Sequence, residues 1–205
     1  ARKLLEVIRV LLAHGAHPGS KEQDSLQGMD AQRCRLITHG HNADPAVFEA
    51  NVEALAQLCE IFGVEQAVPH QALQVGQRVE IDCSLKVEDQ FRQLWEQLVP
   101  SSGPAPCLQG EAVRIAGRIS HELYDNGGLN WDRGFTALAK RFGRIVTSQV
   151  ALADDDVARL DQALGCLKTR AVTTNYAEAM QASDVLTQLA VRWTQLNPVL
   201  VAASA

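Results

Sequence analysis

LVPSSGPAPCLQGEAVRIAGRISHELYDNGGLNWD, residues 98–132, decides how this chain is read. Three prolines in seven residues (Pro100, Pro104 and Pro106) make its start a rigid turn region. From about Leu108 to Tyr124 the apolar residues Ala112, Ile115, Ala116, Ile119 and Leu123 fall at helical spacing, and Asn126-Gly127-Gly128 stops the helix. Gly117 sits mid-helix, where it costs about 1 kcal/mol relative to alanine. A packing reason such as a close helix crossing is therefore expected there. On another face Glu111, Arg114, Arg118 and Glu122 follow one another as helical neighbours.

That charged row has three readings. It is a solvent-exposed ladder of ion pairs, worth a few tenths of a kcal/mol per pair, roughly. It is a buried structural cluster, with the fork of Arg114 tying a carboxylate to backbone carbonyls. Or it is a site, with Ser101, Ser102 and Gln109 on one side and Asn126, Asn130 and Asp132 on the other completing a polar pocket.

Outward from this stretch the chain reads as mainly α. Leu4, Leu5, Ile8, Leu11 and Leu12 mark a first helix that stops before Pro18-Gly19, and the polar residues 16–31 read as a loop. Asp44-Pro45 starts a helix as N-cap and first residue, and Gly63 ends it. Val79, Ile81, Cys83 and Leu85 alternate with polar residues, which predicts one short strand. Its only candidate partner is Arg35–Thr38, so the fold holds at most a two-stranded β element.

Phe91, Leu94, Trp95 and Leu98 mark the helix before the turn region. Beyond it, a helix capped by Asn130 carries Trp131, Phe135, Leu138, Phe142 and Ile145. One opened by Asp154–Asp156 carries Val157, Leu160, Leu164 and Leu167. A last one carries Tyr176 to Leu196 and ends before Pro198. Seven helices with short connections suit a bundle-like array. A soft division falls near residue 87, separating an N-terminal helical segment, 1–87, from a C-terminal domain, 88–205, unless the two pack as one.

Composition bounds the function classes. The 205 residues carry 24 acidic and 19 basic side chains, a formal charge of −5. That balance weighs against nucleic-acid binding, although Arg133, Lys140, Arg141 and Arg144 make a local basic run. Five widely spaced cysteines without a CxxC pair read as free, mostly buried thiols, Cys59 and Cys166 among them, in a reducing cytoplasm. No window approaches the about 18 apolar residues of a membrane span. Ala1-Arg2-Lys3-Leu4-Leu5 imitates a leader only loosely, since Glu6 and Arg9 interrupt it. The first residue is not Met, so residues upstream are to be expected.

Motifs add little chemistry. Thr38-His39-Gly40-His41-Asn42-Ala43-Asp44 resembles the zinc motif of metallo-β-lactamase-like hydrolases, but Asp44 comes one residue late and Pro45 stands where the next His belongs. The further ligands would be His70 and His121, at no matching spacing, so no metal and no cofactor is expected. Leu11 to Ala16 resembles the end of one ankyrin repeat, and one copy makes no array.

The quoted stretch itself resembles a motif shared by small uncharacterised bacterial proteins. The motif is a helix ending W-x-x-L-V-P-S-S-G, then Q-G-E-x-x-R-x-x-G-R-I, then N-G-G-x-N-W-D. It is carried here by Trp95 to Gly103, Gln109 to Ile119 and Asn126 to Asp132, and the likeness extends over about residues 88 to 200. Cys107 stands where the resemblance implies Thr, at the expense of a helix cap. No activity comes with the resemblance. The favoured expectation is a non-enzymatic accessory or immunity-like protein that binds another protein. The alternatives are an enzyme using Glu111 with Arg114 or Arg118 on an anionic substrate, and nucleic-acid binding through residues 133–144.

Overall fold

A computed structural model describes residues 1–17, 19–41, 43–69, 72–168, 172 and 174–203. Pro18, Asn42 and His70, which entered the reading above, lie outside the described residues. Among the described residues eight helices form and no strand does: α1 Arg2–Ala13, α2 Ser20–His39, α3 Pro45–Phe62, α4 Val87–Leu98, α5 Leu108–Tyr124, α6 Arg133–Val146, α7 Asp154–Cys166 and α8 Tyr176–Leu196. The fold is mainly α, as the helical spacing implies. Two compact units are present: Ala1–Ala72 with Pro100–Ser102, and Leu73–Val99 with Gly103–Ala205.

The first unit packs α1 and α2 on α3 around Leu5, Leu26, Leu55, Leu58, Cys59 and Phe62. The Asp44 carboxylate caps α3 by accepting from the amides of Ala46 and Val47, and Gly63 ends it at φ 64°, where a side chain would be strained. The helix α2 overturns the expected loop at 16–31, and it also takes up Arg35–Thr38, the expected strand partner. It was hidden because it has no apolar stripe: Leu26 and Asp30 are its only buried residues. Polar bonds dock it instead. Gln23 donates to the Phe62 carbonyl at 2.9 Å. Asp30 accepts from Arg33 and from the Ala67 amide, both at 2.7 Å.

The second unit is built on α8, which packs on α4, α5 and α7, while α6 lies on α5 and α7. Ala179, Ala182, Leu186, Leu189, Ala190 and Trp193 are its buried face, and its alanines let neighbouring helices come close. The predicted strand at 79–85 is an extended segment with a different partner. Val79 donates to the Pro198 carbonyl and Leu200 to the Gln77 carbonyl, both at 2.8 Å, around a single antiparallel bridge, Arg78 to Val199. On its other side the same C-terminal strap bridges Cys107 through Ala202. Only Val79 is fully buried in the alternating run, with Ile81 half-buried and Cys83 and Leu85 exposed.

Two smaller expectations shift. Asp132, not Asn130, caps α6, accepting from the amides of Gly134 and Phe135. None of the five cysteines forms a disulfide, and they are less buried than expected: Cys59 and Cys107 are buried, Cys34 and Cys166 half-buried, and Cys83 exposed.

Gly117 marks a close crossing of α4 and α5. A Cβ built there would lie 2.2 Å from a ring carbon of Trp95. Gly117→Ala is therefore expected to destabilise by about 1–3 kcal/mol, as overpacking does, despite alanine's better helix propensity. With Trp95→Ala in the background the sign reverses, toward a gain of about 1 kcal/mol. Denaturant unfolding of the three variants checks this, and a stabilising Gly117→Ala in the otherwise unchanged protein contradicts it.

Candidate functional site

The chain enters α5 through Cys107, whose Sγ accepts from the Gly110 amide at 3.3 Å. The cap expected to be lost with Cys in place of Thr is therefore kept, by sulfur. One turn on, Glu111 has no exposed surface and Arg114 is 9% exposed, so the exposed ladder does not form at this end of the row. The two side chains meet through paired bonds, Arg114 Nε to Oε2 at 2.7 Å and a terminal nitrogen to Oε1 at 2.8 Å. Oε2 also accepts from the Ala105 amide at 3.1 Å, and Arg141 of α6 stands 3.5 Å from Oε1. One carboxylate thus joins the turn region, α5 and α6. Burial alone pushes the Glu111 carboxyl up. The Arg114 bonds, the Ala105 amide and the Arg141 charge outweigh that and hold it below the usual carboxylate range.

The other sequence candidates do not gather around Glu111. Gln109, fully buried, donates to the carbonyls of Asn197 and Val199 at 2.8 and 2.9 Å and accepts from the Val201 amide at 3.1 Å, which fastens the C-terminal strap. Asn126 and Asn130 turn to Glu122, three turns from Glu111. Glu122 is 3% exposed and accepts from both side-chain amides and from the Asn130 backbone amide, the last at 2.6 Å. These bonds hold the 125–132 loop, where Gly127 and Gly128 take φ 64° and 70°. Asp132 caps α6, and Arg118 is exposed. Ser101 and Ser102 are exposed and belong to the first unit, where the Ser101 hydroxyl donates to the Gly40 carbonyl.

The same device recurs at two places that no sequence pattern marks. Asp30 with Arg33, and Asp156 with Arg159, are also buried acids followed three residues later by Arg. Asp156 sits in the first turn of α7, 3% exposed, and adds Arg192 of α8 at 2.9 Å. Each carboxylate has an Arg beside it, the condition for burying charge without prohibitive cost, although Asp156 Oδ2 is buried with the Arg192 charge and no hydrogen bond. An acid–Arg pair at i, i+3 looks alike on an exposed face and in a core. For Glu111 a usable signal was Val113, apolar yet off the main stripe, which shows α5 covered on more than one side.

The imidazole candidates disperse. His39 ends α2, and the His41 ring stacks on Phe48 with centroids 3.7 Å apart. Among the described residues no three His, Cys, Asp or Glu side chains stand where they could hold a metal ion. No helix among them is long and apolar enough to cross a membrane.

In the first unit α1 shows a second feature the sequence reading missed. Leu5 is buried and Ile8 half-buried, but Leu4, Val7, Val10 and Leu11 are 41–58% exposed. The aliphatic residues cover too wide an arc for one buried face. Comparison with known proteins finds no family profile, no curated protein and no solved structure that matches the chain.

Two outcomes are expected from the Glu111 joint. Glu111→Met and Arg114→Met should each cost about 3–5 kcal/mol, because each strands a buried charge. The double variant should cost less than their sum by about 1–3 kcal/mol, the coupling of contacting residues. Chemical denaturation measures this, and strict additivity contradicts the pair. The second outcome concerns pH. A carboxylate held low in the folded state stabilises fully above its unfolded value, about 4.3, and stops doing so as pH falls through the lower folded value. The stability gap between wild type and Glu111→Met should therefore be widest near neutrality and narrow below about pH 4. A gap constant down to the lowest pH at which both fold contradicts it.

Proposed function

We propose that the chain is a cytoplasmic protein-binding module that docks through α1. The observation that carries this is the exposed aliphatic row of α1. Leu4, Val7 and Leu11 stand at i, i+3 and i+7 with Val10 beside them, the spacing by which an amphipathic helix seats in an apolar groove of a partner. Scattered exposed aliphatics are ordinary on a protein surface. Four on twelve residues of one helix form a contiguous patch of the kind that marks an interaction site. Five cysteines outside disulfides fit a reducing compartment.

The acid–base alternative has less support. A general base works in a cleft with its pKa tuned toward the working pH. Glu111 is enclosed, and its carboxyl is held low. The basic run on α6 is also diminished as an anion-binding face, because Arg141 is drawn toward Glu111.

Replacing Leu4, Val7 and Leu11 together by Gln tests the proposal. These side chains are exposed, so stability should change by no more than about 0.5 kcal/mol per site. Complexes that the wild-type chain forms in lysate of its native host, resolved by size-exclusion chromatography with cross-linking, should be lost in the triple variant. Identical profiles for the two proteins contradict the proposal.

A further inference from the structure

The second unit holds a groove of about 400 Å³ between α4, α5 and α8, remote in sequence from the α1 row and independent of the reading built on it. Its aromatic wall is Phe91 and Trp95, one turn apart on α4, with ring centroids 6.4 Å apart. Gly117 presents no side chain here, and the half-buried Trp95 ring lies so close to it that even a methyl group could not be added. Three carboxylates line the same groove: Glu88 from α4, Asp125 after α5, and Asp184 from α8.

Asp125 pairs with His121 at 2.6 Å, and both Asp184 oxygens accept from the Tyr124 hydroxyl, at 3.0 and 2.9 Å, which orients that carboxylate. Neither Lys nor Arg lines the groove among the described residues. A concave site of this volume is in the range of ligand pockets, roughly 300–1,000 Å³.

We infer that this groove receives the guanidinium of an arginine side chain presented by a basic peptide segment of a partner. Two features converge on that group. Aromatic faces attract cations, and a planar guanidinium stacks on them better than a compact ammonium does. An oriented carboxylate accepts the guanidinium fork with directed, charge-assisted bonds. No Lys or Arg lines the groove, so Glu88 and Asp184, with Asp125 already engaged by His121, leave it complementary to an incoming cation. The Asp184 carboxylate, oriented by Tyr124, lowers the ordering cost of capture.

The test uses the whole chain, labelled with nitrogen-15, and two probes: N-acetyl-arginine methylamide and its neutral isostere, N-acetyl-citrulline methylamide. The Trp95 indole resonance is assigned through Trp95→Phe. The arginine probe should shift the Trp95 indole resonance saturably, and the citrulline probe should not. Asp184→Asn, which keeps an acceptor for Tyr124, should weaken arginine binding about tenfold, the scale of one charge pair. Glu88→Gln, at an exposed position, should weaken it about threefold, as one screened surface charge does. Equal shifts from both probes, no saturable shift up to the solubility of the arginine probe, or unchanged affinity in a folded Asp184→Asn variant each overturn the assignment.

Discussion

The Glu111 carboxylate carries the heaviest constraint in the second unit. A fully enclosed negative charge is tolerable only if every oxygen is bonded and an opposite charge sits beside it, since an unpaired buried carboxylate costs several kcal/mol, roughly. Arg114 supplies the charge through two bonds, the Ala105 amide takes part of Oε2, and Arg141 approaches Oε1. Three segments must therefore be in place at once: the turn region before α5, α5 itself and α6. Around that joint the short-range geometry follows. Gly110 has to lack a side chain, because a Cβ there would stand 2.6 Å from the Leu98 carbonyl oxygen. Cys107 caps the helix, and Gln109 beside Glu111 fastens the C-terminal strap. Adjacent residues of one helix turn thus tie down loops on several sides.

How far the sequence discloses this depends on the kind of force at each place. Helices with an apolar stripe were legible because burial repeats with the helical period: α3, α4, α5 and α8 stand where the spacing puts them. The helix α2 was not legible, because its docking rests on Leu26 and on polar bonds from Gln23 and Asp30 rather than on a stripe. The short extended run was legible as a pattern but not in its pairing. Its partner is the strap after Pro198, which has no alternation of its own. Glu111 and Arg114 could be singled out as a pair, yet their burial could not, since i, i+3 spacing serves an exposed ladder equally well. Asn130 was misplaced as a cap because both Asn130 and Asp132 are good cap residues, and only Glu122, eight residues earlier, decides which does what.

Most of the polar residues that make the 98–132 stretch conspicuous, Gln109, Glu111, Glu122, Asn126, Asn130 and Asp132 among them, are therefore engaged in holding backbone in place. What they leave rigid is the frame from which other surfaces act. The Trp95 ring against Gly117 and the loop held by Glu122 are both consequences of how α5 is fixed. The α1 row belongs to the other unit and needs no such frame, only a helix whose aliphatic arc is wider than its buried face. On the binding reading proposed here, each unit would meet a partner through its own surface, the aliphatic row of α1 in the first and the acidic groove in the second.

The central claim, that Glu111 is a structural joint, is tested most directly at the Ala105 amide by native-state hydrogen exchange. If Glu111 Oε2 holds that amide, it should exchange only through the large openings that also expose the buried amides of α5, although Ala105 lies outside any helix. In a Glu111→Gln variant that remains folded, its protection should fall well below that of α5. An Ala105 amide that exchanges freely in the wild-type protein, or one equally protected in the variant, would contradict the account.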